Sequence, residues 1–171
     1  MYDLGDCKLG KSPYRISKTE TREEVSLVVS EMARQSSRKL LIISRDLESH
    51  IYNRANFIDA LKNLALNGRR AQIRILVSNI ESIINTEHQI LNLCAKLPSF
   101  IELRKISSEY KNYNKALLIA DETGYLYRGN ASRYEGTLNF NGPRASKNYS
   151  NLFQEIWEAS LPDRNLRRLN V

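Results

Sequence analysis

Cysteine is nearly absent from this chain: Cys7 and Cys94 are the only two thiols in 171 residues, one in an N-terminal stretch without periodicity and one inside a helical pattern. Two such residues make neither a disulfide framework nor a zinc cluster, and they fit a reducing, cytoplasmic setting. Long apolar runs are missing too. No stretch approaches the roughly 18 residues that a membrane-spanning helix needs, and Met1-Tyr-Asp-Leu-Gly-Asp6 has neither the basic start nor the apolar core of a signal peptide. We therefore expect a soluble, unexported chain with no membrane span. Glycine is lacking where nucleotide-binding α/β domains place it, since Ser44-Arg-Asp-Leu-Glu-Ser-His50, after the first predicted buried strand, contains none. The absence of Gly-x-x-x-x-Gly-Lys and Gly-x-Ser-x-Gly removes the usual P-loop and hydrolase readings. Histidine is limited to His50 and His88. Neither stands at metal-ligand spacing from other ligating residues, and no metal or cofactor is expected.

What is present is a core for one domain and an excess of positive charge. A hydrophobic fraction of 42% over this length fills one core, and a formal charge of +7 favours phosphorylated or polyanionic partners. We divide the chain into an extended lead-in over 1–18, a single domain over 19–161, and a basic C-terminal tail over 162–171 that carries Arg164, Arg167 and Arg168. Thr21-x-x-Glu24 has the form of a capping box, and Val25, Val28, Val29, Met32 and Ala33 follow at helical spacing up to Ser36 or Ser37. A buried-type strand, Leu40–Ser44, comes next. Phe57, Ile58, Leu61, Leu64 and Ala65 mark a second helix over Arg54–Asn67, with Gly68 placed as a left-handed terminator. Ile73–Val77 reads as a strand, Asn85–Lys96 as a helix stopped by Pro98, and Phe100–Ile106 as a third strand. Tyr149, Leu152, Phe153, Ile156 and Trp157 give a closing amphipathic helix with Trp157 as core anchor, and Gly129–Asn148 is expected to be a surface loop. Alternating strands and helices predict an α/β sandwich, with a mixed, largely parallel sheet flanked by helices.

The segment Lys115-Ala-Leu-Leu-Ile-Ala-Asp121-Glu-Thr-Gly124-Tyr-Leu-Tyr-Arg128-Gly-Asn130 predicts a hairpin with Lys115 and Arg128 facing each other at its far end. It resembles the phospholipase D superfamily, whose hairpin carries His-x-Lys-x4-Asp followed by Gly-Ser-x-Asn. The resemblance extends from about Glu20 to Ser160, through Leu41-Ile-Ile-Ser44, Phe57-Ile-Asp-Ala-Leu61 and Asn67-Gly-Arg-Arg-Ala-Gln-Ile-Arg-Ile-Leu-Val77. More narrowly, Leu117–Arg128 with Phe153-Gln-Glu-Ile-Trp-Glu158 is similar to a degenerate, single-motif bacterial domain of uncharacterised function, whose relatives occur alone or fused to acetyltransferase-like domains.

In an active member of the superfamily, one His attacks phosphorus, a second protonates the leaving oxygen, and Lys and Asn hold the phosphoryl oxygens. Here Tyr113 stands at the His position, Ala120 at the Asp position with Asp121 one place later, and Arg128-Gly129-Asn130 is a partial echo of the second stretch. The resemblance therefore implies a catalytically degenerate domain with Tyr113, Lys115, Arg128 and Asn130 as its candidate phosphate site. Its expected partners are a phosphate-bearing ligand or nucleic acid, or a protein of acetyltransferase type; pairing into a homodimer is expected by analogy alone. The alternative is a metal-independent phosphodiesterase or nuclease with Tyr113 or Tyr110 as an atypical nucleophile.

Plain structural readings stand beside these. Lys115 is equally a solvated strand end, and Arg128 a structural partner of Asp121 or Glu122 across the hairpin. His88 fits the edge of a packed helix face. Arg69, Arg70, Arg74, Arg104 and Lys105 form either a basic rim or ordinary solvated ends. Tyr110, Tyr113, Tyr125, Tyr127 and Tyr134 suit base stacking, and equally suit strand packing.

Overall fold

The computed structural model describes residues 3–162. The elements run β1 (Ser17–Thr19), α1 (Arg22–Gln35), β2 (Lys39–Ser44), α2 (Ser49–Tyr52), α3 (Ala55–Asn67), β3 (Gln72–Val77), α4 (Ile80–Asn85), α5 (Gln89–Lys96), β4 (Ile101–Lys105), β5 (Ala116–Ala120), β6 (Gly124–Arg128), β7 (Gly136–Asn139) and α6 (Pro143–Ala159). The seven strands form one sheet in the order β1-β7-β6-β5-β2-β3-β4. The architecture is α/β with helices on both faces, as expected. Parallel pairing, however, is confined to β2–β3 and β3–β4, and the other four pairings are antiparallel. Helical crossovers join β1 to β2, β2 to β3 and β3 to β4 and return the chain to the same end of the sheet, but β1 and β2 are not neighbours; from β5 onward shorter turns reverse the chain.

The central strands are apolar without interruption because both of their faces are covered. Leu40, Ile42, Leu118, Ala120 and Leu126 face α1 and α3, in a core with Val25, Val29, Met32, Phe57, Leu61 and Leu64. Leu41, Ile43, Leu117 and Ile119 face α6, against Phe153, Ile156 and Trp157. Trp157 is the expected anchor: its ring stacks on Phe153 at 5.7 Å, and the guanidinium of Arg104 lies 4.1 Å from its centroid. Thr21 caps α1 through its side chain, which accepts from the Glu24 amide, and the helix ends at Ser36.

Several local expectations are corrected. The predicted helix over Asn85–Lys96 begins only at Gln89 and is preceded by a separate helix, α4. Glu87 takes φ 49 between them, and the His88 ring accepts from the Ile90 amide to start α5. Gly68 is not left-handed, having φ −76. Its need is for space: a Cβ there would meet the Leu64 carbonyl oxygen at 2.5 Å and that of Ser37 at 2.9 Å. The left-handed residue in this turn is Arg70, with φ 48. The expected surface loop over Gly129–Asn148 contains β7 and the first turn of α6.

The end of the lead-in also enters the sheet, with Ser17–Thr19 paired antiparallel to β7. Before it, the Gly10 amide donates to the Phe140 carbonyl at 2.8 Å, and the Gln35 side chain bonds both the Leu9 amide and the Cys7 carbonyl. Past Pro162 the expected basic tail lies outside the described residues. Among the described residues, no helix is long and apolar enough to cross a membrane.

Candidate phosphate site

The β5–β6 hairpin turns through Asp121 and Glu122, at φ 52 and 56, and Thr123. The Asp121 carboxylate does not reach across to Arg128. It accepts from the backbone amides of Ser37, Arg38 and Lys39, each at 2.9 Å, and so ties the turn to the start of β2. Glu122 pairs with Lys39 at 3.0 Å. The hairpin's open end lies at the other end of the sheet, alongside the C-terminal ends of β2, β3 and β4. There the Ala131 amide donates to the Asn114 carbonyl at 2.9 Å and closes the two strands against each other.

The sheet separates Arg128 from the other candidate residues rather than gathering all four. Side chains alternate faces along a strand, and Ala116 pairs with Arg128. Arg128 therefore points with Leu118 and Leu126 toward α1, whereas Lys115 points with Leu117 and Tyr127 toward α6. The expected confrontation of two cations does not occur.

Arg128 is 1% exposed and fully engaged. Its guanidinium bonds the Glu48 carboxylate at 3.0 and 3.4 Å, the Arg133 carbonyl at 2.7 Å and the Ala131 carbonyl at 3.0 Å, and it lies 5.3 Å from the Tyr134 ring centroid. Here it is a clamp between the end of β6 and the loop after β2. All three of its nitrogens donate to protein acceptors, and the group is buried from solvent. Glu48 was not legible as its partner, because nothing in the local pattern after β2 points to a residue 80 positions away.

Lys115 is exposed, with Nζ 5.8 Å from the Tyr127 ring centroid, and makes no ion pair among the described residues. Asn130 sits in the turn after β6. Its Oδ1 accepts from the Ser132 amide at 3.0 Å and the Ser132 hydroxyl at 2.6 Å, which leaves the amide Nδ2 as the donor side of the group. Asn130 and Tyr127 line an open cleft of about 580 Å³ that also presents Lys18 and Arg133, together with Glu20 and Glu135. Lys18 and Arg133 escaped the sequence reading because β1 and β7 were not recognised as strands that bring them together.

Tyr113 packs against the tyrosines of the α6 face, where Tyr127 and Tyr149 stack at 5.3 Å. Its hydroxyl is buried and has no hydrogen-bond partner among the described residues. Burial, reinforced by the neighbouring Tyr127 and Tyr149 phenols, pushes its pKa up to about 12. A phenol so placed is protonated at neutral pH, and among the described residues no base is hydrogen-bonded to it, the reverse of what a nucleophile needs. His88 offers no general base either. Its Nε2 lies 3.1 Å from the Leu47 carbonyl, its Nδ1 is the helix cap, and burial lowers its pKa. No group of three His, Cys, Asp or Glu among the described residues is placed to hold a metal ion.

The fold is shared with solved structures at low sequence identity. NucT from Helicobacter pylori superposes with a TM-score of 0.66 at 13% identity, over 88% of this chain and 100% of that one. Nuc from Salmonella typhimurium, a phospholipase D family member, gives 0.62 at 13%, over 89% and 99%. TrmBL2, an archaeal chromatin protein with a novel mode of DNA binding, gives 0.64 at 18%, over 87% of this chain; the chain spans 54% of that protein's length. No curated protein sequence matches significantly. Residues 21–169 match the family model of a domain of unknown function, DUF7931.

Proposed function

Because the chain belongs to the DUF7931 family and has the fold of phospholipase D family members, we propose that it is a catalytically degenerate phospholipase D-like domain that binds phosphate groups without cleaving them. One observation carries the reading. At the open end of the hairpin a lysine and an asparagine amide remain available, while the residue at the motif's histidine position is a buried, protonated phenol. Lys115 supplies a point charge with three donors, Asn130 a neutral donor held by its own turn, and Lys18 and Arg133 add cationic donors along the neighbouring cleft, interspersed with Glu20 and Glu135. Tyr127 beside them gives a base or sugar an aromatic edge, so a single-stranded nucleic acid is the ligand of first choice. Arg128 belongs to the scaffold of this site and not to its ligand set.

The test is binding of short single-stranded oligonucleotides across a salt series, with phosphodiester turnover followed on the same samples. Wild type is compared with Lys115→Ala and with Asn130→Asp, which keeps the turn's acceptor and replaces the free donor. We expect salt-dependent binding, no turnover, and a fall in the salt slope of about 0.7 for Lys115→Ala, the value for one single-strand phosphate contact. Turnover abolished by Tyr113→Phe would overturn the reading in favour of a phosphodiesterase. Absence of both binding and turnover would overturn it too, and would move the search to protein partners.

A further inference from the structure

We propose a second anion site at the opposite end of the sheet, built from Arg38, Arg69 and Arg70, that takes the phosphodiester backbone of double-stranded nucleic acid. The loop before β2 and the loop before β3 meet here beside the β5–β6 turn, around an open cleft of about 650 Å³. Arg38 and Arg69 also line an adjoining cleft of about 540 Å³ along the end of α3, so the basic surface continues past the first opening.

Three observations single this surface out. First, its acids are already used. Asp121 accepts from the amides of Ser37, Arg38 and Lys39 and from the Ser37 hydroxyl, and Glu122 pairs with Lys39 through one oxygen, whereas the side chains of Arg38, Arg69 and Arg70 make no ion pair among the described residues. Second, the two loops are locked together. The Arg69 amide donates to the Ser37 carbonyl at 2.8 Å, and Gly68 packs so tightly on that carbonyl that no side chain fits. The guanidinium groups therefore project from a fixed backbone, which lowers the entropy lost on binding. Third, Arg70 holds φ 48, a conformation that glycine adopts without penalty and arginine does not. Leu47, Glu87, Asp121 and Glu122 take the same conformation, and Arg70 differs from them in presenting an exposed cation from its turn.

The chemistry of the lining selects the ligand. It holds charged and amide side chains and no aromatic ring, so it offers phosphate contacts without a surface for stacking an exposed base. An open, exposed row of guanidinium groups suits successive phosphates of a duplex better than the enclosed binding of one small anion. This site is independent of the hairpin reading, and different variants test it.

Binding of a short DNA duplex is measured over a salt series for wild type, Arg69→Ala/Arg70→Gly, Lys115→Ala and Lys62→Ala, the last removing a charge from the exposed side of α3. Arg70→Gly relieves the left-handed backbone, so the double variant is expected to fold and to melt no lower than wild type. We expect its salt slope to fall by about 2, shrinking the affinity loss between about 50 and 200 mM salt roughly tenfold. Lys115→Ala and Lys62→Ala are expected to leave the duplex slope within about half a contact of wild type, and inorganic phosphate at equal phosphate concentration to displace little duplex. An unchanged slope in the double variant, an equal fall for Lys62→Ala, complete displacement by inorganic phosphate, or no duplex binding by wild type would each overturn the proposal.

Discussion

At the scale of single residues, Arg128 is the position whose role changed most between sequence and structure. A cation beside a partial phosphate motif reads as a ligand-binding group, yet this one is buried among Glu48 and two carbonyls. Removing one member of such a pair leaves the other uncompensated in a low-dielectric site, at a cost of about 3–5 kcal/mol. We expect Arg128→Ala and Glu48→Ala each to destabilise the protein by that order in urea denaturation, and the double variant to lose much less than the sum. Additive losses would mean that the two side chains do not act as a pair. Positions 113, 115 and 130 are named by the fixed spacing of the resembled motif, and they lie around the open end of the hairpin. The burial of 128 was not legible, since its partner comes from another part of the chain.

Among the elements, α1, α3 and α6 were readable from their apolar periodicity, and β2, β3 and β5 from their unbroken apolar runs. The break between α4 and α5 was hidden, because isoleucine and leucine recur at helical spacing on both sides of it and only the backbone at Glu87 departs. The short strands β1 and β7 were hidden for another reason: three or four half-polar residues carry too little pattern, and it is their pairing that defines them.

The same α4–α5 junction predicts a pH effect. Burial lowers the folded-state pKa of His88 below its ordinary value near 6.5, so below about that pH the unfolded chain binds a proton that the native state refuses. Stability is full above that value and falls as pH drops from it toward the folded pKa. Thermal melts between about pH 7 and 5 are expected to show this decline, and His88→Asn, which retains a capping acceptor, to flatten it. An unchanged slope in the variant would assign the decline to other groups.

At the scale of the whole molecule, the sheet has two chemically different ends joined by strands about 20 Å long. One end carries the hairpin opening with its tyrosines, the other the arginine loops, and the N-terminal strap over residues 7–12 crosses from the end of α1 to the end of β7. The strap contributes backbone and side-chain bonds through Leu9, Gly10 and Ser12 to Gln35, Phe140 and Asn141. Removing residues through Ser12 is expected to lower stability by about 2–4 kcal/mol while β2, β3 and β5 keep their hydrogen-exchange protection. Loss of protection throughout the sheet would make the strap part of the folding core.

The Arg128–Glu48 clamp also bears on which substitutions the chain tolerates. A change to serine at 128 alone strands Glu48 in a largely buried site, and changing Glu48 alone strands the arginine. The two positions are therefore expected to vary only as a pair, and a library randomised at one of them alone to be depleted of folded members.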